Sequence, residues 1–114
     1  MKHTWEAKNM AGETIDDGMI DAAIDVVAER EIPFDSHKVI TELARKNQRG
    51  YVAALHNEVE GDANNRAPFN SLHMKLGQRI RRRAESKGYK LRPDRVSSKN
   101  IFFYETDCAE YDRA

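Results

Sequence analysis

Four apolar residues at four-residue steps, Leu72, Leu76, Ile80 and Ala84, run through the most basic stretch of the chain and stop at Gly88. Residues four apart stack one above the other on an α-helix, so this spacing predicts one buried line along a helix over 70–87. Asn70 or Ser71 supplies its N-cap, and Gly88 stands where a C-cap belongs. At about 100° per residue from Ile80, the opposite face carries Ser71, Lys75, Gln78, Arg82 and Glu85, flanked by Arg79, Arg81 and Arg83. Such a helix must lie on the surface of a larger body, its cations outward.

After Gly88 the period shortens to two. Tyr89 to Arg92 alternates apolar with basic, Val96 to Ser98 does so more weakly, and Ile101, Phe102, Phe103 and Tyr104 form an aromatic, strand-like run. This pattern predicts a two-stranded ribbon over 89–104 with its turn near Pro93, Asp94 and Arg95. Three helices are expected upstream. The first starts at Thr14, with Asp16 and Asp17 in its opening turn, places Ile15, Met19, Ile20, Ala23, Ile24 and Val27 on one face, and ends before Pro33. Asp35 or Ser36 caps the second, which buries Val39, Ile40 and Leu43 and ends near Lys46, since 47–50 reads as a turn. A third carries Tyr51, Ala54, Leu55 and Val59 on one side. The expected fold is α+β and mostly helical, with about four helices and a C-terminal two-stranded β-hairpin. At 114 residues one domain is expected, over 14–105, between a flexible tail (1–13) and an acidic tail (106–114) that covers a sheet edge or frays.

The formal net charge of zero hides a segregation. Residues 75–99 hold ten Lys/Arg against two acids, a balance of +8, whereas residues 1–35 stand at −6. Asymmetry of this kind concerns partners rather than fold. No apolar run is long enough to span a bilayer, and the N-terminus lacks a signal-peptide core, so no membrane role and a cytoplasmic location are expected. The single cysteine, Cys108, excludes an internal disulfide and suits a reducing compartment.

The stretch Leu76-Gly77-Gln78-Arg79-Ile80-Arg81-Arg82, followed by Gly88-Tyr89-Lys90, Arg92 and Ile101-Phe102-Phe103-Tyr104, resembles the winged helix-turn-helix modules of phage and plasmid replication and regulatory proteins. The resemblance covers about residues 69–105 and implies that 70–87 is a recognition helix and 89–104 a wing. On that expectation the chain is a bacterial or phage DNA-binding regulator or accessory replication factor rather than an enzyme, and double-stranded DNA is its partner.

Independently of the resemblance, dense one-sided cations are the usual electrostatic footprint of phosphate binding. The candidate nucleic-acid contacts are Lys75, Gln78, Arg79, Arg81, Arg82, Arg83, Lys87, Lys90, Arg92, Arg95 and Lys99, with Gln78, Arg79 and Arg82 suited to base edges. The competing reading pairs this basic face with the acidic first helix of the same or another chain. A protein-interaction module would use Asp17, Asp21 and Asp25, or the basic face itself, against a protein partner. A homodimer seam through Met19, Ile20 and Val26 fits either reading. The histidines His3, His37, His56 and His73 match no tight ligand spacing, and His73, beside Leu72 and Leu76, reads as a packed, hydrogen-bonded imidazole. No cofactor, metal or catalytic residue is expected from the motifs.

Overall fold

The structure, a computed structural model, describes residues 14–114; the expected tail over 1–13 lies outside them. Among the described residues, four helices and five short strands form an α+β arrangement, with one strand between the first two helices and the rest after the fourth. Helix α1 spans Asp17–Arg30, α2 Ser36–Lys46, α3 Gln48–Gly61 and α4 Pro68–Ser86. Strand β1 is Phe34–Asp35, β2 Tyr89–Leu91, β3 Val96–Lys99, β4 Glu105–Cys108 and β5 Glu110–Arg113.

Capping chemistry sets the helix boundaries, and it moves three of the expected ones. The Asp16 carboxylate, not Thr14, accepts from the Met19 amide, so α1 starts at Asp17. This puts Ile15 and Ile20, both buried, at the two positions of a hydrophobic staple. Asp35 caps α2 through the Lys38 amide. Only Asn47 interrupts the chain between α2 and α3, where a four-residue turn is expected from the sequence. Its backbone and side-chain amides both donate to the Leu43 carbonyl, while its own carbonyl accepts from Tyr51. One residue thus ends one helix and begins the next, and Gly50 is buried inside α3. Helix α4 starts two residues ahead of Asn70, at Pro68, whose missing N–H costs nothing in a first turn. Gly88 follows α4 with φ 94°, the left-handed conformation that a side chain disfavours.

The core is the set of apolar lines from these helices. Ile20, Ile24 and Val27 of α1 meet Val39 and Leu43 of α2 and Leu72, Leu76, Ile80 and Ala84 of α4. Ile20 is fully buried here, which takes it out of the expected dimer seam. Val59, expected inward on α3, is 47% exposed.

The strands depart furthest from expectation. Tyr89–Leu91 pairs with Glu110–Arg113 rather than with 101–104, and β5 lies between β1 and β2 in an antiparallel sheet. The hairpin that does form joins Val96–Lys99 to Glu105–Cys108. Two physical causes are visible. Asn100 turns its side-chain oxygen onto the amides of Phe102 and Tyr104, which converts a run of strand formers into a tight turn. The acidic 106–114 segment supplies Tyr111, 1% exposed, which stacks on Phe34 at 5.6 Å and completes the core below the sheet. That segment is therefore the middle strand rather than a frayed tail.

Phe103 sits at the turn with φ 66°, 78% exposed. A left-handed conformation costs a non-glycine residue about 1–2 kcal/mol. Phe103→Gly is expected to raise unfolding stability by about 1 kcal/mol in urea denaturation; an unchanged or lower midpoint counts against strain at this turn.

Candidate functional site

The cations expected on a helix face and a wing are sorted by the fold into a set with resident carboxylates and a set without. On one flank of α4, Arg79, Arg83 and Lys87 face the acidic helix α1. Arg79 donates to the Ile15 carbonyl at 2.9 Å and to Asp17 at 3.1 Å. Arg83 forms a two-pronged pair with Asp21, both contacts at 2.8 Å, and Lys87 reaches Asp25 at 2.9 Å. The hydrogen bond from Arg83 holds the Asp21 carboxyl below the usual range, and Asp25 raises Lys87 in the same way. Asp17, Asp21 and Asp25, the residues of the protein-partner reading, are thus engaged within the chain. The contact spacing of four residues on both helices is what lets the ladder form.

The other flank of α4 opens onto a groove. Asn70, Met74, Gly77, Gln78 and Arg81 line one wall, and the segment leaving β2, with Arg92, Pro93 and Arg95, lines the other. Arg81 is held only loosely, by Glu85 at 3.7 Å. Gln78 on this wall and Arg82, next to Arg81 in the helix, are exposed without an ion pair or hydrogen bond among the described residues. Lys90 and Lys99 on the strands are likewise exposed and unpaired, Lys99 at a separate pocket beside Val27 and Arg30. Arg95 donates to the Asp107 carbonyl, which orients it and leaves its charge unneutralised. Arg92 is paired with Glu110 and Asp112, both at 3.1 Å, and Lys75 with Glu58 at 2.7 Å. Of the eleven predicted contacts, Gln78, Arg81, Arg82, Lys90, Arg95 and Lys99 therefore keep accessible, weakly compensated polar heads. Lys75, Arg79, Arg83, Lys87 and Arg92 have resident carboxylates.

An aromatic and imidazole cluster supports the floor. The His73 Nε2 lies 2.6 Å from the Tyr51 hydroxyl, and Phe69 packs edge-on against Phe102 at 4.9 Å. Burial lowers the His73 pKa, with His37 adding to the effect, and pushes the Tyr51 phenol up to about 12. A neutral imidazole accepting from a protonated phenol satisfies both shifts. His73 is thus the packed, hydrogen-bonded residue its neighbours Leu72 and Leu76 announce.

One constellation escaped the sequence reading. Asp35, His37 and Cys108 bring a carboxylate oxygen, a ring nitrogen and a sulfur within 4.8 Å of one another. Asp35 and His37 are two residues apart, but Cys108 arrives only because β4 follows the unexpected turn at Asn100. Spacing alone holds no signal for it. Comparison with protein-family models, with curated proteins and with solved structures finds no match to this chain.

Proposed function

We propose that the chain is a winged-helix domain that binds double-stranded DNA through the groove-side face of α4 and the adjoining strands. The observation that carries this reading is the one-sided release of cations. Resident acids neutralise the α1 flank of α4, while Arg81 and Arg95 line the groove loosely held and Arg82, Lys90 and Lys99 stand exposed without an ion pair among the described residues. The antiparallel order β1-β5-β2, with a long helix entering β2 and a hairpin extending beyond it, supports the winged-helix assignment. Helix α4, at 19 residues, is about 28 Å long, and a helix of ordinary width fits the major groove. Gln78 and Arg82 then face base edges, while Arg95, Lys90 and Lys99 meet phosphates.

Phosphate binding of this kind releases counterions, so affinity falls with salt at a slope of about −0.9 per neutralised phosphate in a log–log plot. Fluorescence anisotropy with a labelled random duplex across a salt series measures it. Arg82→Ala and Arg95→Ala are each expected to weaken binding about 3- to 10-fold and to flatten the slope by about 1. Lys46→Ala, at the far end of α2, is expected to change neither. Absent binding at low salt, or binding that the Arg81, Arg82 and Arg95 triple alanine variant leaves intact, rejects this reading.

A further inference from the structure

We propose that Asp35, His37 and Cys108 form a binding site for a zinc-class divalent cation, independent of whether the groove binds DNA. The three donors come from separate elements: β1, the first turn of α2 and the end of β4. Their ligand atoms lie within 4.8 Å of one another, close enough for small side-chain adjustments to bring them around one ion. Asp35 and Cys108 are 5% and 3% exposed, so the cation would be shielded from bulk water on their side.

The donor chemistry selects the metal. A thiolate and an imidazole suit Zn(II) or Co(II) and exclude a preference for magnesium or calcium, which take oxygen ligands. Each donor retains a group that orients it. The Asp35 Oδ1 is committed to capping α2, while Oδ2 has Lys38 at 3.8 Å and is left as the ligand atom. His37 has Ser98 on Nδ1, through the hydroxyl at 2.9 Å and the carbonyl at 3.2 Å, and Thr106 on Nε2 at 3.2 Å. Whichever nitrogen binds, the other keeps an outer partner, as metal-ligating histidines generally do. The Ser98 hydroxyl also lies 3.6 Å from the Cys108 sulfur.

His37 and Cys108 both line the α4 groove, so the fourth position of a tetrahedral ion opens there and takes a water or an exogenous ligand. On binding, the Cys108 thiol releases its proton to solvent and the thiolate coordinates. The ion would then tie the β3–β4 hairpin to β1 and α2, adding to the hydrogen bonds that His37 makes with Ser98 and Thr106.

Cobalt titration of the chelator-treated full chain, under a non-thiol reductant, tests this directly. Cys108 is the only cysteine, so a thiolate-to-cobalt charge-transfer band reports this site alone. The expected result is a band saturating at one Co(II) per chain and displaced by one equivalent of Zn(II). Cys108→Ser and His37→Gln should abolish it. Asp35→Asn preserves a good N-cap, so the chain stays folded, yet it should weaken binding at least about tenfold. Zn(II) should also raise the thermal midpoint of the wild type and not that of Asp35→Asn, a readout that stands even if Cys108→Ser fails to fold. No band at millimolar Co(II), a band saturating at half an equivalent, or affinity unchanged in both His37→Gln and Asp35→Asn overturns the proposal.

Discussion

Phe34→Ala is expected to destabilise the protein by about 4 kcal/mol, within the range for truncating a fully buried phenylalanine. Phe34 is 0% exposed and sits where three parts of the fold converge. Its ring meets Tyr89 edge-on at 5.2 Å and Tyr111 in a stack at 5.6 Å, which joins all three strands of the sheet from below. The substitution therefore opens a cavity and removes two aromatic contacts, each worth about 0.5–1.5 kcal/mol beyond burial. Domains of this size hold only about 5–15 kcal/mol in total, so most of the margin is at stake. Urea denaturation of the variant against Phe102→Ala measures it. Phe102 is 45% exposed and packs on one side only, so its truncation should cost no more than about 1 kcal/mol. Equal losses in the two variants refute the central role given to Phe34.

The second large effect concerns Glu42, a carboxylate only 3% exposed on α2. Its Oε1 accepts from Arg45 at 2.9 Å and from Arg30 at 3.3 Å, while its buried Oε2 has no hydrogen-bond partner among the described residues. The Arg45 hydrogen bond, reinforced by Arg30, holds its pKa below the ordinary value of 4.5 despite the burial. Removing both guanidiniums together leaves an uncompensated buried charge, and Arg30→Ala with Arg45→Ala is expected to cost about 3 kcal/mol near neutral pH. Glu42→Leu should be neutral or stabilising, because it removes the charge and the orphaned oxygen together. The pH dependence has a definite sign. A folded-state pKa below the unfolded one gives stability that is complete above about pH 4.5 and is lost as pH falls through the folded value. Chemical denaturation from pH 7 to pH 3 should show that loss in the wild type and a weaker one in Glu42→Leu. A destabilised Glu42→Leu variant would show that the carboxylate itself holds α1 to α2.

The helices were legible because each carries apolar residues at helical spacing, and the first two also carry a local aspartate cap. Leu72, Leu76, Ile80 and Ala84 need no knowledge of the rest of the chain to declare a buried face. The sheet was not legible, and particular residues explain why. Strands of two to four residues are too short for alternation to outvote other signals. Tyr111 lies within a stretch whose acidic character reads as a tail, whereas Glu110 and Asp112 serve there as partners for Arg92. Ile101 to Tyr104 has high strand propensity, yet one side chain, Asn100, decides the backbone locally. The functional face was half legible. Helical spacing correctly places the α4 cations outside the core, but which of them meet a carboxylate is settled by α1, some 62 residues away in the chain. The Asp35, His37 and Cys108 cluster depends on the same kind of distant meeting.

The pairing of Phe34 with Tyr111 has a consequence for the order of assembly. These residues stand 77 positions apart, so their union closes a loop containing every other described element except α1. Neighbouring helices such as α2 and α3, separated by Asn47 alone, meet with almost no loop to close. Closure entropy thus falls on the sheet, and distant pairings of this kind slow folding relative to a bundle of local contacts. Strand β5 acts as a clasp in time as well as in space: it can lock only where the helices have already brought β1 and β2 within reach.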